Sequence, residues 1–279
     1  MTKCDKCHSR SIIHQRYSGM RLCTTHFQED VRRKVREDLR KTGLFGRGAC
    51  VAIGLDGGLD GGWGSAVLLQ IMQDIFSRRR DIDLVAITVV EGEAGTPHRD
   101  QAFDQARQLA KRLNVHHIVA PLDYAEIPGE APGCRDLADR KMNRLVDEAR
   151  AQGASIIATG HSLDSVAGEV FLKFLQGDVD GLFRRQDPRG QLHHIRPLQR
   201  IPEREMRLYA LQCDLLPTNS KGHDRSSRDD LRQQVRRHLG GFDSRHPGTN
   251  YSLLRSLERI HLLRGVNASG AKPLSDDRK

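Results

Sequence analysis

The chain has 279 residues, with 45 Lys and Arg against 36 Asp and Glu and a formal net charge of +9 at pH 7. It is long enough for one large α/β domain with small appendages. No run of about 18 apolar residues predicts a membrane span, and the N-terminus lacks the apolar segment of a secretory signal, so we expect a cytoplasmic protein. The basic balance favours a phosphate-rich partner, although a generally basic, solvated surface would give the same counts.

The first 30 residues are polar and contain two metal-ligand pairs. Cys4-x-x-Cys7 is followed, after 15 residues, by Cys23-x-x-His26. Each pair can present two ligands from one tight turn, and three thiolates with one imidazole complete a tetrahedral zinc site. We expect a structural zinc ion here, since a segment this short and polar needs a staple to fold. A chance group of surface thiols is the alternative.

Strands and helices alternate in the pattern that follows. Residues 31–45 predict a connecting helix. The predicted strands are 50–53, 84–90, 117–120 and 155–159, and the predicted helices that follow them are 66–76, 100–113, 137–151 and 164–175. Such alternation is typical of a parallel sheet with helices on both faces. Residues 240–250 contain Gly, Pro and Asn and predict a loop, and residues 251–263 predict a last helix.

Positive charge is concentrated in two of these segments. Residues 31–41 and 228–238 each predict a strongly basic helix. Two such helices can follow a nucleic-acid backbone through ionic contacts that do not depend on base sequence. For either helix taken alone, an ordinary solvated face is the alternative.

A glycine-rich loop joins the first strand of the alternating region to its first helix. Residues 54–65 read GLDGGLDGGWGS. Backbone N–H groups and a helix N-terminus at this place in an α/β sheet can cradle phosphate, and glycine allows close approach. The loop lacks the lysine of G-x-x-x-x-G-K-[ST] and the spacing of G-x-G-x-x-G. Its two aspartates would repel phosphate unless a metal intervenes, and a flexible loop without a ligand is the alternative.

Several separated segments resemble the TtuA/TtcA-type tRNA thiolation proteins of the PP-loop ATPase superfamily. Residues 158–165, ATGHSLDS, are similar to the ATGHNLDD segment that borders the ATP site in that family. The cysteine knuckle with its RLCxxHF context matches as well, as do the segments 174–178, 196–205 and 246–256. Together they cover about residues 4–263, and their order and spacing make the resemblance specific.

The resemblance implies a PP-loop fold and an ATP-dependent reaction on a tRNA base. In that reaction the carbonyl oxygen of a uridine or cytidine is adenylylated, pyrophosphate leaves, and sulfur displaces AMP. The implied cofactor is ATP with magnesium, and the implied partner is tRNA. A ubiquitin-like sulfur carrier, an intact family member and a second copy of the chain are further partners that the resemblance suggests.

Site residues follow from the resemblance and from position in the fold. Cys134 and Asp164 are the catalytic candidates. Cys134 is either a persulfide-carrying nucleophile with basic neighbours or a plain loop cysteine. His161 either lines the nucleotide pocket or is a hydrogen-bonded structural histidine. The candidate nucleotide contacts are Ile53, Gly57, Gly58, Asp60, Ser65, Gly160 and His161.

The chain departs from the family pattern at both reactive sites. The PP-loop should read SGGxDS, but both serines are replaced in residues 56–61, so we expect altered pyrophosphate binding. Of the cysteines that hold the family's iron–sulfur cluster only Cys134 matches, and one thiolate is too few, so we expect no such cluster. The alternative functions are an inactive paralogue that binds tRNA or a partner without turnover, and a nucleotide hydrolase or adenylyltransferase with another substrate.

The same evidence divides the chain into five parts. They are a zinc-binding knuckle at 1–30, a basic linker helix at 31–48, a PP-loop-like nucleotide-binding α/β domain at 49–215, a helical region facing tRNA at 216–264, and a tail at 265–279 that we expect to be disordered.

Overall fold

The computed structural model describes residues 2–55, 63–91, 97–122, 134–178, 181–182, 192–215 and 231–263. Within these ranges a small hairpin leads into a helix, a five-stranded parallel sheet with helices follows, and further helices come last. The predicted α/β class, a parallel sheet flanked by helices, is confirmed. None of the helices in these ranges is long and apolar enough to cross a membrane.

The N-terminal segment forms an antiparallel hairpin that runs directly into a long helix. Strands β1 (Ile13–Gln15) and β2 (Met20–Leu22) pair with each other, and helix α1 (Thr24–Thr42) starts two residues after β2. Along α1 the buried apolar side chains recur every four residues, which is the spacing of one helix face; they are Phe27, Val31, Val35 and Leu39. Helix α1 therefore begins at Thr24 rather than at 31, and this face belongs to the main core.

The central sheet has the strand order β5-β4-β3-β6-β7, and every neighbouring pair is parallel. The strands are β3 (Ala49–Gly54), β4 (Ile82–Glu91), β5 (His116–Leu122), β6 (Ile156–Ala158) and β7 (His193–Ile195). The chain builds outward from β3 on one side and then returns to add β6 on the other. The strand order therefore reverses between β3 and β6, the place where open α/β sheets hold ligands.

Helices cover the sheet as the alternating pattern predicts. The predicted strands and helices of this region are all present, with ends that differ by a few residues. The helices are α2 (Trp63–Phe76), α3 (Pro97–Arg112), α4 (Cys134–Ala151) and α5 (Leu163–Leu175). One apolar core joins α1, α2 and α3 to the sheet, and a second core lies between the sheet and α4. Two buried cores of this kind need apolar residues on both faces of the central strands, which explains the short apolar runs in the sequence.

Three further helices pack on this frame. They are α6 (Glu203–Gln212), α7 (Leu231–Arg245) and α8 (Thr249–Leu263). Helix α6 packs against α2, and α7 and α8 pack against α5. The predicted loop at 240–250 is wrong in part, because α7 continues through Gly240 and Gly241 to Arg245. Packing of Val235 and Leu239 against α5 outweighs the weak helix preference of the two glycines.

Candidate functional site

The four predicted metal ligands converge at one point in the N-terminal segment. The Sγ atoms of Cys4 and Cys23 lie 3.5 Å and 3.4 Å from Nδ1 of His26, and the Sγ atoms of Cys7 and Cys23 are 3.6 Å apart. All four donor atoms lie within 4.8 Å of one another. Bonds of about 2.3 Å to sulfur and about 2.0 Å to nitrogen, in tetrahedral geometry, require donor atoms about 3.5–3.8 Å apart. The cluster therefore fits one tetrahedral ion.

Backbone groups prepare one of these thiols for metal binding. Burial raises the pKa of Cys4, but backbone N–H groups, first that of Cys23 and then that of Lys6, lower it to about 6. The Lys6 N–H lies 3.4 Å from the Cys4 sulfur. A thiol with a lowered pKa is more readily the thiolate, which is the form that binds metals.

A buried polar network ties the metal knuckle to helix α6. Gln15 Nε2 donates to Asp30 Oδ2 at 3.0 Å and to Glu205 Oε2 at 3.1 Å. Tyr17 donates its hydroxyl to the same Glu205 oxygen at 3.1 Å, and the Lys34 ammonium lies 2.8 Å from Asp30. Glu205 is fully buried, and this burial raises its pKa. Because each of these buried groups needs its partners, the network fixes the position of the N-terminal hairpin and α1 relative to α6.

A close contact between two backbone segments lies at the switch point of the sheet, where open α/β proteins have their ligand crevice. A Cβ atom added to Gly160, which follows β6, would overlap the backbone of Gly64 and Ser65 at the start of α2. A Cβ atom on Gly64 would overlap the carbonyl oxygen of Gly160. Both positions therefore require glycine. Their contact brings the N-terminus of α2 to the carboxyl ends of β3 and β6, and the N-terminus of a helix is a favourable place for phosphate.

The candidate nucleotide contacts lie in different surroundings. Ser65 is buried in the first turn of α2, next to the glycine contact. The Ile53 side chain is fully buried in the core, and its backbone lies between β4 and β6 near the carboxyl end of β3. Cys134 is the first residue of α4, and its side chain lies outside the described part of the chain. The loop positions Gly57, Gly58 and Asp60 also lie outside the described residues.

Asp164 lies in the first turn of α5 and joins three helices. Its Oδ2 accepts the backbone N–H of Glu203 at 2.6 Å, and its Oδ1 accepts the side-chain amide of Asn250 at 3.1 Å. Both oxygens thus hold α6 and α8 against α5. The catalytic role assigned to Asp164 stays a prediction, and these contacts give the residue a structural role as well.

His161 belongs to a row of hydrogen-bonded side chains behind the crevice. Its Nδ1 lies 2.9 Å from the Thr159 hydroxyl, which lies 2.7 Å from Nε2 of His194. Burial, and then the charge of Arg196, hold the pKa of His194 well below its usual value. His161 is half-buried at the end of β6. The position is consistent with both interpretations of this histidine, a pocket residue and a hydrogen-bonded structural one.

A paired carboxylate adds negative charge beside this row. Glu169 lies 2.9 Å from the Arg196 guanidinium and 3.1 Å from the Lys173 ammonium. Burial raises the pKa of Glu169, but Arg196, then Lys173 and then His161 lower it to about 2. Sequence reasoning missed this ion pair because the residues come from α5 and from the segment after β7, which have no common motif.

Sequence reasoning also missed a contact at the start of α2. The Arg207 guanidinium lies over the Trp63 ring, 4.7 Å from its centroid. Arg207 also lines a groove of about 430 Å³ between the hairpin and α6. No motif joins residues 63 and 207, since the contact depends on the packing of α6 against α2.

These features define a parallel α/β protein with a ligand-type switch point in its sheet and an N-terminal cluster of four potential metal ligands. Residues 24–239 match the family described as "PP-loop domain", and residues 3–28 match "2-thiouridine synthetase TtuA, N-terminal LIM domain". The chain belongs to the PP-loop family of tRNA 2-thiolation proteins.

Individual relatives match over almost the whole chain. "tRNA 2-thiolation protein NcsA" of Haloferax volcanii is 30% identical over 98% of this chain and 92% of its own. "Cytoplasmic tRNA 2-thiolation protein 1" of Bos taurus is 28% identical over 93% of this chain and 78% of its own. The solved structure of the U34-tRNA thiolase NcsA from Methanococcus maripaludis with its 4Fe–4S cluster superposes with a TM-score of 0.81, at 27% identity, over 93% of this chain and 88% of that one.

The solved thiolase structure corrects one prediction about cofactors. The expectation that an iron–sulfur cluster is unlikely is wrong, because a thiolase of the same fold carries one. That expectation counted only the thiols expected near Cys134. It left out Cys4, Cys7 and Cys23, whose sulfur atoms the fold brings together. Cysteine counts along a sequence do not show which thiols meet in space, and iron belongs among the metals to be measured in this protein.

Proposed function

We propose that this chain is an ATP-dependent tRNA sulfurtransferase that adenylylates a uridine or cytidine so that sulfur can be inserted. The observation that carries the proposal is the contact between Gly64 and Gly160. It holds the N-terminus of α2 against the loop after β6 at the switch point of the sheet. This is where a nucleotide phosphate is bound best by backbone N–H groups.

The proposed reaction has two steps. The carbonyl oxygen of the base attacks the α-phosphorus of ATP, the bond to the β-phosphate breaks, and pyrophosphate leaves with magnesium. A sulfur nucleophile then attacks the activated carbon and AMP leaves. We assign the phosphates to Gly57, Gly58, Asp60 and Ser65. We assign the adenylate to Gly160, His161 and the backbone of Ile53. Cys134 would handle sulfur, and Asp164 would act in the catalytic site.

Relatives and charge support the remaining parts of the proposal. The Haloferax and Bos relatives are named for tRNA 2-thiolation, and the Bos protein is named cytoplasmic. A net charge of +9 suits an RNA partner. We therefore propose tRNA as the substrate and the cytoplasm as the location. A sulfur carrier, an intact family member and a homodimer stay proposals, as does the five-part division of the chain.

The test is turnover of ATP to AMP and pyrophosphate in the presence of tRNA, with full-length protein purified without oxygen. Ser65→Ala removes a hydroxyl beside the crevice, and we expect turnover to fall by about 10- to 100-fold, the value of one hydrogen bond to a charged group. Ser77→Ala is the matched control, because Ser77 is an exposed serine just beyond α2. Equal turnover in both variants would contradict the assignment of Ser65.

One observation favours the alternative, a paralogue that binds tRNA or a partner protein without turnover. Residues 56–61 lack both serines of the PP-loop pattern, so hydroxyl donors for pyrophosphate are lost there. Retention of tRNA by the wild-type chain, with no binding of ATP and magnesium in calorimetry, would establish this alternative and overturn the enzyme. Cleavage of ATP at the α–β bond without any dependence on tRNA would instead indicate another substrate.

A further inference from the structure

A stripe on helix α7 combines aromatic rings with positive charge. It consists of His238, Phe242 and Arg245, which the helical spacing of four and seven residues brings to one side, and of His246, which follows the helix and donates its backbone N–H to the Phe242 carbonyl. Phe242 is 46% exposed. Its ring lies 4.6 Å from the His246 ring, centroid to centroid, at an interplanar angle of 36°. About half of the Phe242 side chain is therefore open to a molecule from solvent, beside the tilted imidazole of His246.

The buried face of α7 ends before Phe242. Helix α7 is anchored by Val235 and Leu239, which are 3% and 8% exposed and pack against α5. Phe242 is not a member of that cluster. Gly241, next to it, has open space where a Cβ atom would lie. Glycine inside a helix lowers helix stability and allows another molecule to approach the backbone closely.

The charge of α7 indicates what kind of molecule approaches. The helix carries four arginines and one histidine, and Asp243 is its one acidic residue. Asp243 accepts the backbone N–H groups of Gly248 and Asn250, at 3.2 Å each, and so is bound to the turn that follows α7. Of the charged side chains of α7 within one turn of Phe242, Asp243 is thus occupied by the following turn and Arg245 is exposed. The exposed arginine beside the ring complements a polyanion.

We propose that the stripe stacks an unpaired base of the RNA substrate on Phe242, with Arg245 against a neighbouring phosphate. An aromatic side chain beside positive charge is the usual means of holding single-stranded or looped RNA, since every base has a flat face. An acidic protein surface can also cover an exposed aromatic ring, and in that case Phe242→Ala would leave RNA binding unchanged. The inference rests on the proposed function for its RNA partner and names the surface that holds it.

The experiment measures tRNA binding by the full-length protein and three variants. We expect Phe242→Ala to weaken binding by about 5- to 100-fold, the loss of one stacked base. Phe242→Trp should bind as the wild type does, because tryptophan also stacks. Phe174→Ala is the matched control, since Phe174 lies near the end of α5 and is likewise 46% exposed. We expect it to change binding by less than about twofold.

Each outcome separates the inference from the proposed function. If the wild-type chain retains no tRNA, the RNA part of the proposed function fails and the stacking site fails with it. If the wild type binds and Phe242→Ala binds equally well, only the stacking site is overturned. Equal losses in Phe242→Ala and Phe174→Ala, or a loss in Phe242→Trp, also overturn it. Circular dichroism of each variant checks that the fold is retained. We expect it to be retained, because both phenylalanine side chains are only about half buried.

Discussion

Gly160 and Gly64 are positions where the absence of a side chain shapes the site. Each would place a Cβ atom into the backbone of the other's segment. The contact cannot be relieved by turning a flexible side chain, because the neighbouring atoms are backbone. We therefore expect Gly160→Ala to lower the free energy of unfolding by about 1–3 kcal/mol and to weaken ATP binding by displacing α2.

Urea unfolding and calorimetry measure these two effects. The matched control is Gly240→Ala, since Gly240 also lies in a described segment but has open space around its missing Cβ atom. In the interior of α7 alanine is the better helix former, so this variant should be more stable by up to about 1 kcal/mol. A Gly160→Ala protein as stable as the wild type would show that the segments can move apart without cost.

Glu169 predicts a dependence of stability on pH. Its pKa is lowered from 4.5 to about 2 in the folded protein, chiefly by Arg196 against the opposing effect of burial. The ionised form therefore stabilises the fold fully above pH 4.5, and this contribution is lost as the pH falls towards 2. A pKa difference of one unit corresponds to about 1.4 kcal/mol, so the contribution of ionised Glu169 to the free energy of unfolding is on the order of 3 kcal/mol. Glu169→Gln should remove it.

Denaturant unfolding of Glu169→Gln and wild type at pH 7 and near pH 3 measures the difference. We expect Glu169→Gln to have a lower free energy of unfolding than the wild type at pH 7, and we expect this difference to be smaller near pH 3. Glu37→Gln is the control, because Glu37 forms an exposed ion pair with Arg33 in α1, and such pairs contribute at most about 0.5 kcal/mol. A gap that stays constant with pH would contradict the ionised, paired state of Glu169.

At the scale of secondary-structure elements, helix α1 links the metal site to the core. Cys23 is the residue before α1 and His26 lies in its first turn, while Phe27 and Val31 of the same helix are fully buried. The sequence predicted a helix from 31 because the ligand pair hides the start of the apolar pattern. The helix begins earlier because its buried face starts at Phe27, directly after the ligand His26.

This link predicts how loss of one ligand affects the whole element. Cys7→Ser replaces an exposed ligand at the knuckle. We expect metal content to fall sharply and thermal stability to drop. A variant that binds the ion 100-fold more weakly loses about 2.7 kcal/mol of stabilisation by bound metal. Elemental analysis for zinc and iron, with thermal unfolding in the presence and absence of a chelator, gives the result.

The control for this prediction is a cysteine outside the knuckle. Cys50 lies half-buried in β3, and Cys50→Ser should retain the wild-type metal content. Unchanged metal content in Cys7→Ser would show that the ion is held elsewhere. Iron lost from Cys134→Ser but not from Cys7→Ser would assign an iron–sulfur cluster to Cys134 rather than to the knuckle.

At the scale of the whole molecule, the excess of positive charge predicts a salt-dependent interaction with tRNA. Each phosphate that the protein neutralises releases counterions, so the logarithm of the association constant should fall linearly with the logarithm of salt concentration. Arg245→Ala should reduce the slope by about one. Arg79→Ala should leave it unchanged, because Arg79 is paired with Asp81 in the turn before β4, at the amino ends of the strands.

Binding titrations at several salt concentrations give these slopes. A wild-type slope near zero would contradict an electrostatic RNA interface of any kind. Equal reductions for Arg245→Ala and Arg79→Ala would show that net charge alone, and not the α7 surface, sets the affinity.

The sequence by itself determined the class of the fold, the four Cys and His residues that cluster in the N-terminal segment, and the family. Periodicity showed the strands and helices of the sheet because each must bury apolar side chains locally, and ligand pairs such as Cys4 and Cys7 lie close together along the chain. It did not show β7, the hairpin or the helical course of residues 240–245, since those short elements are stabilised by packing with distant segments.

Only the tertiary structure decided which distant groups meet. The contact of Gly64 with Gly160, the network around Glu205 and the ion pair of Glu169 with Arg196 join segments that no local pattern connects. The exposure of Phe242 likewise became visible only once Val235 and Leu239 had taken the buried face of α7. Local preference depends on neighbours along the chain, whereas a site depends on neighbours in space, and these are set by how the helices pack on the sheet.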